Sequence, residues 1–172
     1  MTDKKLIIIR GNSGSGKSSV AKALQREFGR GTLVISQDTV RREMLHAHDG
    51  FDNKAIPLLC DLLRYGHENC SITILEGILN SEWYKPLFET AMKLYGDNIF
   101  AYYYDIPFEE TLRRHETKSG VNFGEEHMRK WWNEKDYIGF IHEETITEEA
   151  SVGDVVNHVK EQLKRTVNKE NI

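Results

Sequence analysis

The segment Gly11-Asn12-Ser13-Gly14-Ser15-Gly16-Lys17-Ser18 decides how the rest of the chain is read. It has the form G-x-x-x-x-G-K-[ST], a loop whose glycines let successive backbone N–H groups turn inward around a phosphate. The flanks supply the setting that this loop needs. Leu6-Ile7-Ile8-Ile9 before it is a short apolar run bounded by polar residues, the mark of a buried strand. After it, Val20, Ala23, Leu24 and Phe28 recur at helical spacing from Ser18 to Phe28, and Gly29 closes the run. An ordinary glycine-rich turn would match the constrained positions by chance in well under about 1% of chains of this length.

The chemistry follows from strand, loop and helix together. The helix N-terminus adds its positive end to the inward N–H groups. Lys17 reaches β- and γ-phosphates, and the Ser18 hydroxyl suits Mg²⁺. The expected nucleotide contacts are Gly11, Asn12, Ser13, Gly14, Ser15, Gly16, Lys17, Ser18 and Ser19, with ATP and Mg²⁺ as the implied cofactors.

Working outward, Thr32 to Ser36 reads as a second strand, Ile72 to Leu75 as a third ending in Glu76-Gly77, and Ile99 to Tyr104 as a fourth. Glu144 to Thr147 reads as a marginal fifth. Helical spacing lies between them: from Gln37, over Ile56 to Tyr65, from a Ser81 N-cap to Tyr95, and over Phe108 to His115. It returns over Glu125 to Asn133, with Trp131 and Trp132 packing that helix, and over Val152 to Leu163. Residues from about Arg165 onward read as a frayed end. Alternating strands and helices predict an α/β fold with a parallel sheet, in a single domain over residues 1–172.

Composition narrows the function classes. At 172 residues, 39% hydrophobic and 29% charged, the chain reads as an ordinary globular domain. A net charge of −4 gives no general electrostatic case for nucleic acid, so a nucleic-acid partner is not expected. No apolar run reaches the roughly 18 residues of a membrane span, and Cys60 and Cys70 read as buried reduced thiols. A cytoplasmic protein without a membrane partner is the expectation.

Ligands of such sheets bind beyond the carboxyl ends of the strands, which selects the residues that carry chemistry. Asp38, just past the second strand, can take the proton of an attacking hydroxyl, or can simply cap the helix that follows. Arg41, one turn later, faces the same cleft and can clamp an acceptor, leaving Arg42 toward solvent. Glu76 is placed for the Mg²⁺ shell or the acceptor, or is a strand-end carboxylate, and Gly77 permits close approach of a ligand. Arg113, Arg114 and Lys118 lead into Ser119 to Gly124 and suggest a lid over about residues 115–135. Pairing of both arginines with Glu109 and Glu110 is the simpler alternative.

These residues resemble a known family. The loop at Gly11 to Ser18, the run Ser36-Gln37-Asp38-Thr39-Val40-Arg41 and the run Asp105 to Arg114 are similar to the P-loop kinases grouped with zeta toxins, chloramphenicol phosphotransferase and polynucleotide 5′-hydroxyl kinases. The resemblance implies a three-layer kinase-type sandwich, a five-stranded sheet in the order 2-3-1-4-5, and transfer of the ATP γ-phosphoryl to a hydroxyl. It implies that Asp38 is the catalytic aspartate, that Arg41 is its companion and that Arg114 is one of two lid cations, with Lys118 where a second arginine is usual. The acceptor is expected to be a small molecule: a nucleoside, sugar, nucleotide sugar or antibiotic. A polynucleotide or zeta-toxin-like kinase is the alternative, and an ATPase or nucleotide-binding module the next. A guanine-nucleotide switch is excluded, since no N-K-x-D segment exists and the D-x-x-G at Asp136 to Gly139 comes far too late to follow the third strand.

Overall fold

The computed structural model describes residues 4–120 and 122–169. The apolar run before the loop extends as strand β1, Lys5–Gly11, and the helix after it as α1, Lys17–Phe28. Then follow β2, Leu33–Ser36; α2, Ala55–Asn69; β3, Ile72–Gly77; and α3, Lys85–Tyr95. The second half holds β4, Ile99–Tyr104; α4, Phe108–Glu116; α5, Glu125–Lys130; β5, Glu143–Ile146; and α6, Val152–Lys169.

The strands form one sheet in the order β2-β3-β1-β4-β5, with every neighbouring pair parallel. A sheet of this kind needs both faces covered, and the strands read accordingly as continuous apolar runs. Alternate residues of β1 separate the two cores. Leu6 and Ile8 pack with Leu59, Leu63, Leu87 and Phe88 of α2 and α3. Ile7 and Ile9 pack with Val20 and Leu24 of α1 and Val155 and Val159 of α6. The result is three layers, with α2 and α3 below the sheet and α1 and α6 above it.

Register places the chemistry in one row. Ser36 pairs with Glu76, Ile9 pairs with Glu76, and Gly11 pairs with Tyr104, so the strands end side by side at the rim where the loop begins. Beneath that rim lies Arg10, fully buried. Its guanidinium donates to the Leu79 carbonyl at 2.8 Å, to the Asp136 carbonyl and carboxylate at 2.8 Å each, and to Glu143 at 2.8 Å. Its guanidinium carbon lies over the Phe88 and Tyr103 rings, 5.3 and 5.5 Å from their centres. One side chain thus ties β1 to the segments after β3 and before β5.

Several local expectations are corrected. The segment after β2 is one π-helical turn, Thr39–Met44, whose backbone ends with Leu45 N–H on the Val40 carbonyl. The third long helix starts at Lys85 rather than at a Ser81 cap. Asn80 instead closes the turn that precedes the helix, with its Oδ1 accepting from the N–H groups of Glu82 and Trp83, while Ser81 is drawn to Asp136. Helix α5 stops at Lys130, so Trp131 and Trp132 lie beyond it. Helix α6 continues through Arg165 to Lys169 instead of fraying there, and residues 170–172 lie outside the described residues, as does Val121 of the expected lid. Cys60 is buried but Cys70 is only half-buried, and both are free thiols.

Candidate active site

The phosphate cradle is built by β1 running into α1. Helix α1 has no side-chain cap at its N-terminus, so its first N–H groups remain available to an anion. Gly14 has φ +81°, and a Cβ there would lie 2.5 Å from the Thr111 carbonyl oxygen, so α4 is packed directly on the loop. Lys17 is buried, and its Nζ donates to the Asn12 carbonyl at 2.8 Å. Burial pulls its pKa down to about 8, against the raising influence of Glu76 and Asp38.

At the rim, the Ser18 hydroxyl donates to Glu76 Oε1 at 3.2 Å. Two hard oxygen donors side by side at a phosphate cradle fit Mg²⁺, which takes few protein ligands and leaves the remainder to phosphates and water. No group of three or more His, Cys, Asp or Glu that could hold a metal ion occurs among the described residues. Ser19 is exposed beside Ser18 on the first turn of α1. Gly77 does not face open space, because a Cβ there would lie 2.7 Å from Gln37 Cβ. The approach it permits is that of Gln37.

Asp38 has no capping bond to the turn that follows it. Its Oδ1 is engaged by Arg41 Nη2 at 3.2 Å and by Arg42 Nε at 3.4 Å, and its side chain is 58% exposed toward a cavity. Arg41 is the inward arginine, only 12% exposed, also bonding the Ala47 carbonyl and lying 3.7 Å from Asp49. Arg42 is not simply solvated. Its guanidinium carbon lies 5.6 Å from the Trp131 ring centre and 5.8 Å from that of Phe123.

The cavity has a volume of about 430 Å³ and is lined by Asp38, Arg41, Arg42, His48, Asp49, Ile78, Asn80, Trp83, Lys130, Trp131 and Asn133. From the sequence Asp38 and Arg41 are expected at this cleft, Arg42 is turned toward solvent, and the others have no role in it. Asp49 is fixed from below, accepting from the Tyr84 hydroxyl at 2.6 Å and from Gln37. Burial, and then the Asp49 carboxylate, push the Tyr84 hydroxyl's pKa well up, so it remains a donor.

The basic end of α4 divides. Arg113 is 67% exposed and pairs with Glu110 at 2.7 Å, as the simpler alternative held. Arg114 also contacts Glu110, but its Nη1 donates to the Ser15 carbonyl at 2.8 Å and its Nη2 to the Glu148 carbonyl at 3.0 Å. These guanidinium groups hold the Glu110 carboxyl down to about 2. Lys118 is exposed and influences Lys17 through its charge alone. Arg129 pairs with Glu125 and covers the Phe108 ring. Trp132 packs its edge on Phe108, whereas Trp131 faces the cavity.

Comparison with known proteins adds family and fold. The family described as "AAA domain" matches residues 6–120. No curated protein matches the chain. A gluconokinase from Sinorhizobium meliloti superposes with a TM-score of 0.70 at 17% identity, covering 99% of this chain and 98% of that one. The APS kinase CysC of Mycobacterium tuberculosis, in complex with AMPPNP and APS, gives 0.62 at 22% identity over 95% and 99%. The shikimate kinase of Acinetobacter baumannii, in complex with shikimate, gives 0.61 at 17% identity over 96% of each chain. At these identities the likeness is one of fold. No helix among the described residues is long and apolar enough to cross a membrane.

Proposed function

The chain belongs to the AAA domain family, and from that premise we propose that it transfers the γ-phosphoryl group of Mg-ATP to a hydroxyl of a small molecule. Its resemblance to the zeta toxin, chloramphenicol phosphotransferase and polynucleotide kinase group rests on the loop Gly11 to Ser18 and the runs Ser36 to Arg41 and Asp105 to Arg114. Nucleoside, sugar, nucleotide sugar and antibiotic acceptors all have a hydroxyl of the required kind. The observation that carries the proposal is a shared wall. Asp38 and Asn133 both line the 430 Å³ cavity, and Asn133 is bonded to Asn12 of the phosphate loop. A hydroxyl held in this cavity would meet the unpaired Asp38 carboxylate oxygen beside a wall anchored to the phosphate loop.

Each residue then has a task. Arg41 and Arg42 hold Asp38 Oδ1, leaving Oδ2 to accept the hydroxyl proton as the acceptor oxygen attacks. The loop N–H groups and Lys17 orient the β- and γ-phosphates, and Arg114 adds positive charge from the opposite side of the loop. Ser18 and Glu76 would hold Mg²⁺, which neutralises developing phosphate charge when bound. Asp105, Glu134 and Glu148 lie in a separate cavity beyond Trp132 and have no place in this step.

Asp38→Asn tests the assignment, since it preserves shape and removes the base. Transfer of label from γ-labelled ATP to a hydroxylated acceptor should fall about 10²- to 10⁴-fold. AMPPNP binding should stay within a few-fold of wild type. Turnover within a few-fold of wild type would return Asp38 to a positioning role for Arg41.

A further inference from the structure

Resting on the kinase reading above, we infer that the acceptor is itself an anion, a hydroxylated compound bearing a carboxylate or phosphate group that docks on Arg42 and Lys130. Both cations line the acceptor cavity. The cavity's two carboxylates are already committed: Asp38 to Arg41 and Arg42, and Asp49 to Tyr84, Gln37 and Arg41. Three cations against two carboxylates leave an excess of one positive charge, before His48 is considered.

The geometry of Arg42 gives that excess a direction. The Trp131 and Phe123 rings lie 5.6 and 5.8 Å from its guanidinium carbon and, 5.0 Å from each other, stand on the same side of the cation. Nε is 3.4 Å from Asp38, and the in-plane Nη groups have no protein acceptor among the described residues. A guanidinium flanked by aromatic rings on one side, with both Nη groups unpaired, is suited to a planar or tetrahedral oxyanion, and it cannot be satisfied by a neutral hydroxyl to the same degree. Lys130 approaches from the end of α5 with no carboxylate in ion-pair distance among the described residues. A volume of about 430 Å³ holds a monosaccharide-sized ligand with its anionic group. The hydroxyl end then faces Asp38 and the anionic end faces the α5 side, so charge fixes which hydroxyl is presented.

The test is a titration of the protein already filled with AMPPNP and Mg²⁺, so that the probe cannot occupy the phosphate loop. The probes are gluconate, glucose 6-phosphate and glucose, which share a carbon skeleton and separate carboxylate, phosphate and neutral arms. The readout is the Trp131 indole N–H resonance, assigned with Trp131→Phe. Gluconate or glucose 6-phosphate should shift it saturably, with glucose at least 10-fold weaker. Arg42→Gln and Lys130→Gln should each weaken that binding about 10- to 100-fold, the loss of one charge-assisted hydrogen bond. Equal binding of glucose would overturn the proposal, as would charged probes that leave the resonance unmoved or binding indifferent to both substitutions. Failure of AMPPNP to bind at all would instead remove the kinase reading, which makes the two failures distinguishable.

Discussion

Nucleotide binding should be coupled to proton uptake through Lys17. Its ammonium is buried before any phosphate arrives, and that burial lowers its pKa from an ordinary 10.5 to about 8. Phosphates placed against Nζ favour the charged form, so the bound state has a higher pKa than the free one. Free Lys17 is about 90% protonated at pH 7, half protonated at pH 8 and about 10% protonated at pH 9. Above pH 8 each binding event must therefore import a proton, and affinity should fall about tenfold per pH unit. From pH 7 to 9.5 the loss is roughly 30-fold. The assay is calorimetric titration with Mg-AMPPNP in two buffers of different ionisation enthalpy, where proton uptake should rise from about 0.1 at pH 7 to about 0.9 at pH 9.

The same shift has a signed effect on the free protein. The unfolded chain binds a proton at Lys17 up to its ordinary 10.5, the folded chain only up to about 8. Between these values the unfolded state holds more protons, so folding stability should rise with pH through that window, by about 3 kcal/mol in all. Below pH 8 the whole burial penalty is present, and bound phosphate relieves it. Lys17→Arg, charged throughout, should bind with little pH dependence. An affinity flat from pH 7 to 9.5, with no proton uptake at pH 9, would refute the argument.

Other perturbations test other parts of the site. Glu76→Gln removes a charge that sustains protonated Lys17, so the Lys17 pKa should fall further and more Mg²⁺ should be needed for half-maximal turnover. An unchanged Mg²⁺ titration would give Glu76 a structural role. Arg10→Met strands the buried Glu143 carboxylate and should destabilise by about 3–5 kcal/mol in urea titrations, with Glu143→Gln in the same chain recovering part of the loss. A cost below about 1 kcal/mol would show that the network is dispensable. Gly14→Ala forces a Cβ against the Thr111 carbonyl and should weaken AMPPNP binding at least about 10-fold, or cost about 1–3 kcal/mol in thermal unfolding if α4 cannot yield.

What the sequence disclosed follows the range of the interactions involved. Strands buried on both faces leave unbroken apolar runs, and Leu6 to Ile9 and Ile99 to Tyr104 were legible for that reason. The loop was legible because its glycines meet a local backbone requirement. Sheet order came through the resemblance, since nothing in a strand's own residues names its neighbour. The cavity beside Asp38 stayed hidden because its walls are joined over long separations. Asp49 is held by Tyr84, 35 positions away, and Asn80 by Asn133, 53 positions away. Ser81 looked like a cap because serine favours that place, but Asp136 outcompeted the helix for it. Arg10 gave no signal, because its partners Asp136 and Glu143 lie more than 120 residues later.

Asn12 joins these strands of argument. In the loop pattern its position is unconstrained, yet its side chain is buried and makes two bonds with one residue: Nδ2 donates to the Asn133 carbonyl at 2.7 Å, and Oδ1 accepts the Asn133 N–H at 2.8 Å. Asn133 passes the connection on, its Oδ1 accepting from Asn80 at 3.1 Å and its Nδ2 donating to the Trp131 carbonyl at 3.0 Å. Asn80 in turn fixes the backbone of Trp83. A carboxamide paired with a peptide group leaves little rotational freedom, so displacement of the loop moves the cavity wall that carries both indoles. The phosphate loop and the cavity wall are thereby joined by one run of hydrogen bonds, with Lys17, whose Nζ bonds the Asn12 carbonyl, at its start.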